Sequence, residues 1–96
     1  MTSLDKRREI IRHGNVAREL LENETLLYAF EAVGQDALAT FISTAADEGS
    51  ERDAAWATYQ ALGCIKNKLE AFVDDGKVEE RNKAYDEQQR TNNNGE

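Results

Sequence analysis

The stretch Ser50–Gly76, SERDAAWATYQALGCIKNKLEAFVDDG, reads as one long amphipathic helix with both ends written into it. Ser50 is placed to accept from the backbone N–H three residues on, with Asp53 in the first turn as a weak capping box. Glu51 and Asp53 put negative charge at the positive end of the helix dipole. Gly76 supplies the left-handed residue that ends helices. Between these ends Leu62, Ile65, Leu69 and Phe72 recur at steps of three and four, flanked by Tyr59 and Val73. That spacing aligns them as a single apolar stripe, which needs a partner surface.

The preceding segment supplies one. Asn23 or Thr25 caps a second helix in which Leu27, Phe30, Gly34, Ala37, Leu38, Phe41 and Ala45 form a stripe, widened by Leu26, Val33 and Ile42. Ala46 to Ser50 make a short acidic turn, and so short a link between two long helices forces them to lie antiparallel and adjacent. The expected fold class is therefore all-α. Its centre is an antiparallel helical hairpin of residues 24–46 and 50–75, with an additional N-terminal helix and a polar C-terminal extension. Gly34 costs about 1 kcal/mol against alanine inside a helix. It and Gly63 are read as paired notches where two backbones approach, a functional cleft at the same glycines being the alternative.

Toward the N-terminus, Ser3 is a plausible cap, Asp5 sits in the first turn, and Leu4, Ile10 and Ile11 offer an apolar edge. Gly14 is either the stop of this helix or a tolerated residue within a longer one reaching Glu22, and the sequence leaves both open. After Gly76 only Val78, Ala84 and Tyr85 are apolar in KVEERNKAYDEQQR, a solvated helical extension. The closing TNNNGE has no reason to be ordered alone. The domain division that follows is a single helical domain over 1–76, with a polar extension and disordered tail over 77–96.

Ninety-six residues allow one small domain with a marginal core. The absence of proline suits long helices. One cysteine excludes an internal disulfide, and Cys64, beside the stripe, is expected to be a buried and inert thiol. No signal-peptide pattern or bilayer-length apolar run is visible, so a soluble intracellular protein is expected, with no membrane partner.

The net charge of −7 is uneven: residues 21–50 hold six acidic side chains and no lysine or arginine. Glu24, Glu31, Asp36, Asp47 and Glu48 are the candidate acidic face for a partner. Lys6, Arg7, Arg8 and Arg12 form a small basic patch that reads first as the solvated side of a helix. The acidic balance disfavours direct nucleic-acid binding, which needs phosphate neutralisation. The candidate surface for helix–helix or subunit contact comprises Leu27, Phe30, Gly34, Leu38 and Phe41 on the first arm. On the second arm it comprises Trp56, Tyr59, Leu62, Ile65, Leu69 and Phe72. Trp56 is expected off the main stripe, toward a third helix or another subunit.

Catalytic chemistry finds no footing. The paired carboxylates lie at turns or on polar faces, the glycines are isolated, and a lone His13 has no acid of known position beside it. Asp74-Asp75-Gly76 lacks the spacing of a calcium loop. No catalytic residue, metal or cofactor is expected, and the chain is read as a non-enzyme.

The run from Ala17 to about Asn82, two-thirds of the chain, resembles small helical-hairpin proteins encoded by tailed bacteriophages and prophages near their packaging and head genes. The shared features are ARELLENETLLYAFEAV, then FIST, then the acid-Arg-acid opening and DDGK ending of ERDAAWATYQALGCIKNKLEAFVDDGKVEE. Glu24 departs from the pattern, since related sequences often have proline there. The resemblance implies a virion or head-assembly accessory, in the host cytoplasm or the virion, that forms a homo-oligomer or binds another phage or host protein. An acidic inhibitor of a host protein, of an anti-defence or nucleic-acid-mimic type, is the alternative.

Overall fold

The computed structural model describes residues 3–45 and 47–94, with side chains placed for 3–45 and 47–91. Every described element is helical: α1 is Ser3–Leu21, α2 is Glu24–Ser43 and α3 is Gly49–Asn94. No strand occurs among the described residues. Of the two readings open at Gly14, the structure takes the single helix, since α1 runs straight through it.

The break between α1 and α2 falls at Glu22 and Asn23. Asn23 has extended backbone, φ −79° and ψ 109°, and its side chain accepts from the Leu26 N–H at 2.9 Å. That bond satisfies one of the four N–H groups a helix start leaves without an internal partner. Thr25 lies one residue inside α2 and is not the cap. At the far end the Thr44 N–H donates to the Thr40 carbonyl at 3.1 Å.

The ends expected for the long helix are corrected. Ser50 is inside α3, which begins at Gly49, and the Arg52 N–H already bonds the Glu48 carbonyl at 3.2 Å. Gly76 does not stop α3. It lies buried within the helix, and no glycine has positive φ among the described residues. The helix continues to Asn94, so residues 91–94 are its last turn, while Gly95 and Glu96 of the expected tail lie outside the described residues. Ala46, placed at the end of the first arm, also lies outside them.

The chain divides into two compact units, Met1–Glu19 with Leu69–Glu96, and Leu20–Lys68. In the first, the less exposed positions of α1 include Arg7, Ile10, Gly14 and Ala17, spaced three, four and three. Leu69, Phe72, Gly76 and Glu79 repeat that spacing on α3. The closest approach is glycine on glycine. A Cβ on Gly14 would stand 2.8 Å from the Phe72 carbonyl oxygen and 3.0 Å from the Gly76 Cα. A Cβ on Gly76 would stand 3.1 Å from the Gly14 Cα. Only residues without side chains permit backbones this near.

In the second unit, α2 offers Leu27, Phe30, Gly34, Ala37 and Phe41, again at alternating steps of three and four, with Thr44 following at its C-cap. Phe41 meets Trp56, their ring centroids 5.4 Å apart, while Gly34 faces Leu62 and Tyr59. Contacts thus move back along α2 as they move forward along α3. The pairing of Gly34 with Gly63 as helix notches is corrected: a Cβ on Gly63 would have nothing within 4 Å. Gly34 instead admits the Leu62 side chain, whose Cδ1 would be 3.5 Å from a Cβ there. Cys64 is exposed rather than buried, because two residues past the half-buried Leu62 it stands about 200° around the helix from it.

The cores are thin. Among the described residues the buried apolar side chains are Ala17, Ala37 and Ala55, and no large side chain is fully buried.

Candidate interaction surface

The link between α2 and α3 sets the geometry of the surface, and one side chain fixes it. The Arg52 guanidinium donates to the Thr44 carbonyl at 3.2 Å, the Ala45 carbonyl at 2.8 Å and the Thr44 hydroxyl at 3.2 Å. A planar, multiply donating cation is thereby placed on the carbonyls that the C-terminus of α2 leaves open. That end carries the negative pole of the helix dipole, so the charge is favourable there as well. Glu48 closes the turn from the other side, its carboxylate accepting from the Ala45 N–H at 3.4 Å.

Past this link, α2 and α3 enclose a groove of about 460 Å³. Leu27, Phe30, Tyr59 and Leu62 make its walls, Gly34 lies beneath Leu62, and Gly63 leaves open the space a side chain would fill. Glu31 and Gln35 stand on the α2 lip and Lys66 on the α3 lip. The alternative of a cleft at Gly34 and Gly63 therefore has a geometric counterpart here. Trp56 stacks on Tyr59 at 5.9 Å with the rings 12° from parallel, which carries the aromatic surface toward the link. Trp56 remains 43% exposed and Tyr59 44%.

A second, shallower space of about 390 Å³ lies between the same helices, edged by Val33, Asp36, Ala37 and Thr40 against Glu51, Ala54, Ala55 and Thr58.

The acidic residues do not form one face. Glu31 edges the first groove and Asp36 the second, five positions and so roughly 140° apart around the helix. Glu24 is exposed in the first turn of α2, and Asp47 and Glu48 are exposed at the link. The basic residues are separated in function too. Arg7 donates to Glu79 and to Asp86, each at 3.0 Å, and hydrogen bonding to Asp86 and then Glu79 raises its guanidinium pKa above the usual value. Arg12 is held by Glu9 at 3.0 Å, and Lys6 and Arg8 are exposed.

Of the remaining apolar candidates, Leu38 is half-buried on α2 and Ile65 is 47% exposed. Leu69 and Phe72 belong to the unit that contains α1, where the Phe72 ring lies 6.1 Å from that of His13. His13 Nε2 is 3.4 Å from the Glu9 carboxylate. Among the described residues no three His, Cys, Asp or Glu side chains are grouped to hold a metal ion, and no helix is long and apolar enough to cross a membrane.

Sequence reasoning missed Arg52 and the Gly14–Gly76 contact. The first had a signal in its place just after a short link; the second depends on a partner 62 positions away in the chain. No protein-family model matches the chain, and neither a curated protein nor a solved structure matches it.

Proposed function

We propose that this chain is a non-enzymatic, self-associating helical protein built on an antiparallel hairpin of α2 and the first half of α3. Its role is that of an accessory in assembling a phage particle. The phage setting, in host cytoplasm or virion, rests on the resemblance of residues 17–82. Self-association rests on one observation about surface. Tyr28 and Ile42 are each 73% exposed, and Val33, Trp56, Tyr59 and Ile65 keep over two-fifths of their surface open, all in the unit formed by α2 and the first half of α3. Large apolar side chains left open together on one small unit mark surfaces that meet another protein.

The test is absolute mass by light scattering across a hundredfold range of concentration. A mass above that of one chain, rising with concentration or constant, is the expected result. A single-chain mass throughout would overturn self-association. It would favour an acidic module for a basic host protein, a reading supported by Asp36 and Glu51 both edging the second space.

A further inference from the structure

We infer that the occupant of the groove between α2 and α3 is the same groove of a second copy, joined about a two-fold axis parallel to the helices. This rests on the self-association reading and names its interface. Two charges of opposite sign stand on the lips, Glu31 and Lys66. Phe41 and Trp56 are in ring contact at the link. Ten residues back along α2 from Phe41 is Glu31, and ten residues forward along α3 from Trp56 is Lys66. Equal rise per residue brings Glu31 and Lys66 to the same level on opposite lips. Both are exposed, and among the described residues they form no ion pair with each other.

A two-fold rotation about an axis along the groove preserves level and exchanges lips. It sets Glu31 over the partner's Lys66 and Lys66 over the partner's Glu31, so one residue pair supplies two contacts, as self-complementary interfaces require. An axis across the groove would instead set α2 over α2 and oppose like charges. With the axis along the groove, the α2 walls Leu27 and Phe30 lie on the partner's α3 side and the α3 walls Tyr59 and Leu62 on its α2 side, in a four-helix core. Gly63 leaves room for an opposing side chain, since a Cβ there would meet nothing within 4 Å.

The experiment compares wild type, Glu31→Lys, Lys66→Glu and an equimolar mixture of the two variants, by light scattering and sedimentation. Circular dichroism confirms helix content in each. Either variant alone turns both contacts repulsive, and its self-dissociation constant is expected to rise about tenfold, less at high salt. In the mixture one chain carries two lysines and the other two glutamates, both contacts are restored, and the dimer is expected to return. An oligomeric wild type with variants of unchanged affinity, or a mixture no tighter than its components, overturns this interface while leaving self-association standing. A monomeric wild type removes both.

Discussion

Alanine in place of each of three glycines separates a helix contact from a helix interruption. In a helix interior alanine is favoured over glycine by about 1 kcal/mol. At Gly63 an added Cβ meets nothing within 4 Å, so Gly63→Ala realises that gain. At Gly14 the same Cβ meets the Phe72 carbonyl oxygen at 2.8 Å and the Gly76 Cα at 3.0 Å. Both are backbone atoms, and relief requires moving α1 and α3 apart. Overpacking of this kind costs about 1–3 kcal/mol, which cancels the propensity gain and leaves Gly14→Ala destabilised by up to about 2 kcal/mol. Gly76→Ala, with Gly14 Cα at 3.1 Å, follows in the same direction. For a domain of this length each kcal/mol moves the thermal midpoint by about 4–8 °C. Circular dichroism melts in dilute solution should therefore show Gly63→Ala rising by about that amount, while Gly14→Ala and Gly76→Ala fall. A Gly14→Ala midpoint that rises alongside Gly63→Ala would refute the close crossing, and with it the account of why α3 passes through Gly76.

Two further outcomes follow from the side-chain geometry. Arg52→Ala removes charge-assisted bonds to the open end of α2 and should cost about 1.5–3 kcal/mol in urea unfolding, with Arg52→Lys recovering little because an ammonium cannot span both carbonyls and the hydroxyl. The Arg12 hydrogen bond, reinforced by the Arg12 charge and by His13, holds the Glu9 carboxyl below its ordinary pKa of 4.5. Its contribution is thus present above that value and lost as pH falls through the lower folded one. The difference in melting point between wild type and Glu9→Gln should shrink on acidification and never grow.

The helical class and the start of α2 were legible because their signals are local. Asn23 stands directly before a run with apolar residues at steps of three and four, and its cap bond reaches only to Leu26. The end of the long helix was misread for the opposite reason. Asp-Asp-Gly-Lys carries the usual mark of a helix stop, yet Gly76 serves as a contact whose partner, Gly14, is remote in the chain. A local rule assigns glycine to backbone freedom; here its missing side chain is what matters. Arg52 was hidden similarly. Between Glu51 and Asp53 it reads as part of a solvated charge run, and it becomes a cap only once the link turns back on α2. The spacing from Leu62 to Phe72 predicts a single stripe with one neighbour. Its later half, Leu69 and Phe72, falls in the unit of α1.

Both units place their smallest residues where the helices come nearest: Gly14, Ala17 and Gly76 in one, Gly34, Ala37 and Ala55 in the other. Small residues let backbones approach, and they bury little apolar area in doing so. The large side chains are consequently displaced to the margins of the seams, where Val16, Val33, Trp56, Tyr59 and Val78 keep over two-fifths of their surface open. A chain arranged this way has little of the burial on which folding stability depends, since about 25 cal/mol is gained per Å² of apolar surface removed from water. Covering the margins with a second copy would add that burial without altering either seam. The basic residues of α1 point the same way: Arg7 and Arg12 already have carboxylate partners within the chain. The charges left to address a partner at the groove are Glu31 and Lys66, one of each sign, which suits a surface that recognises itself better than one that recognises a polyanion.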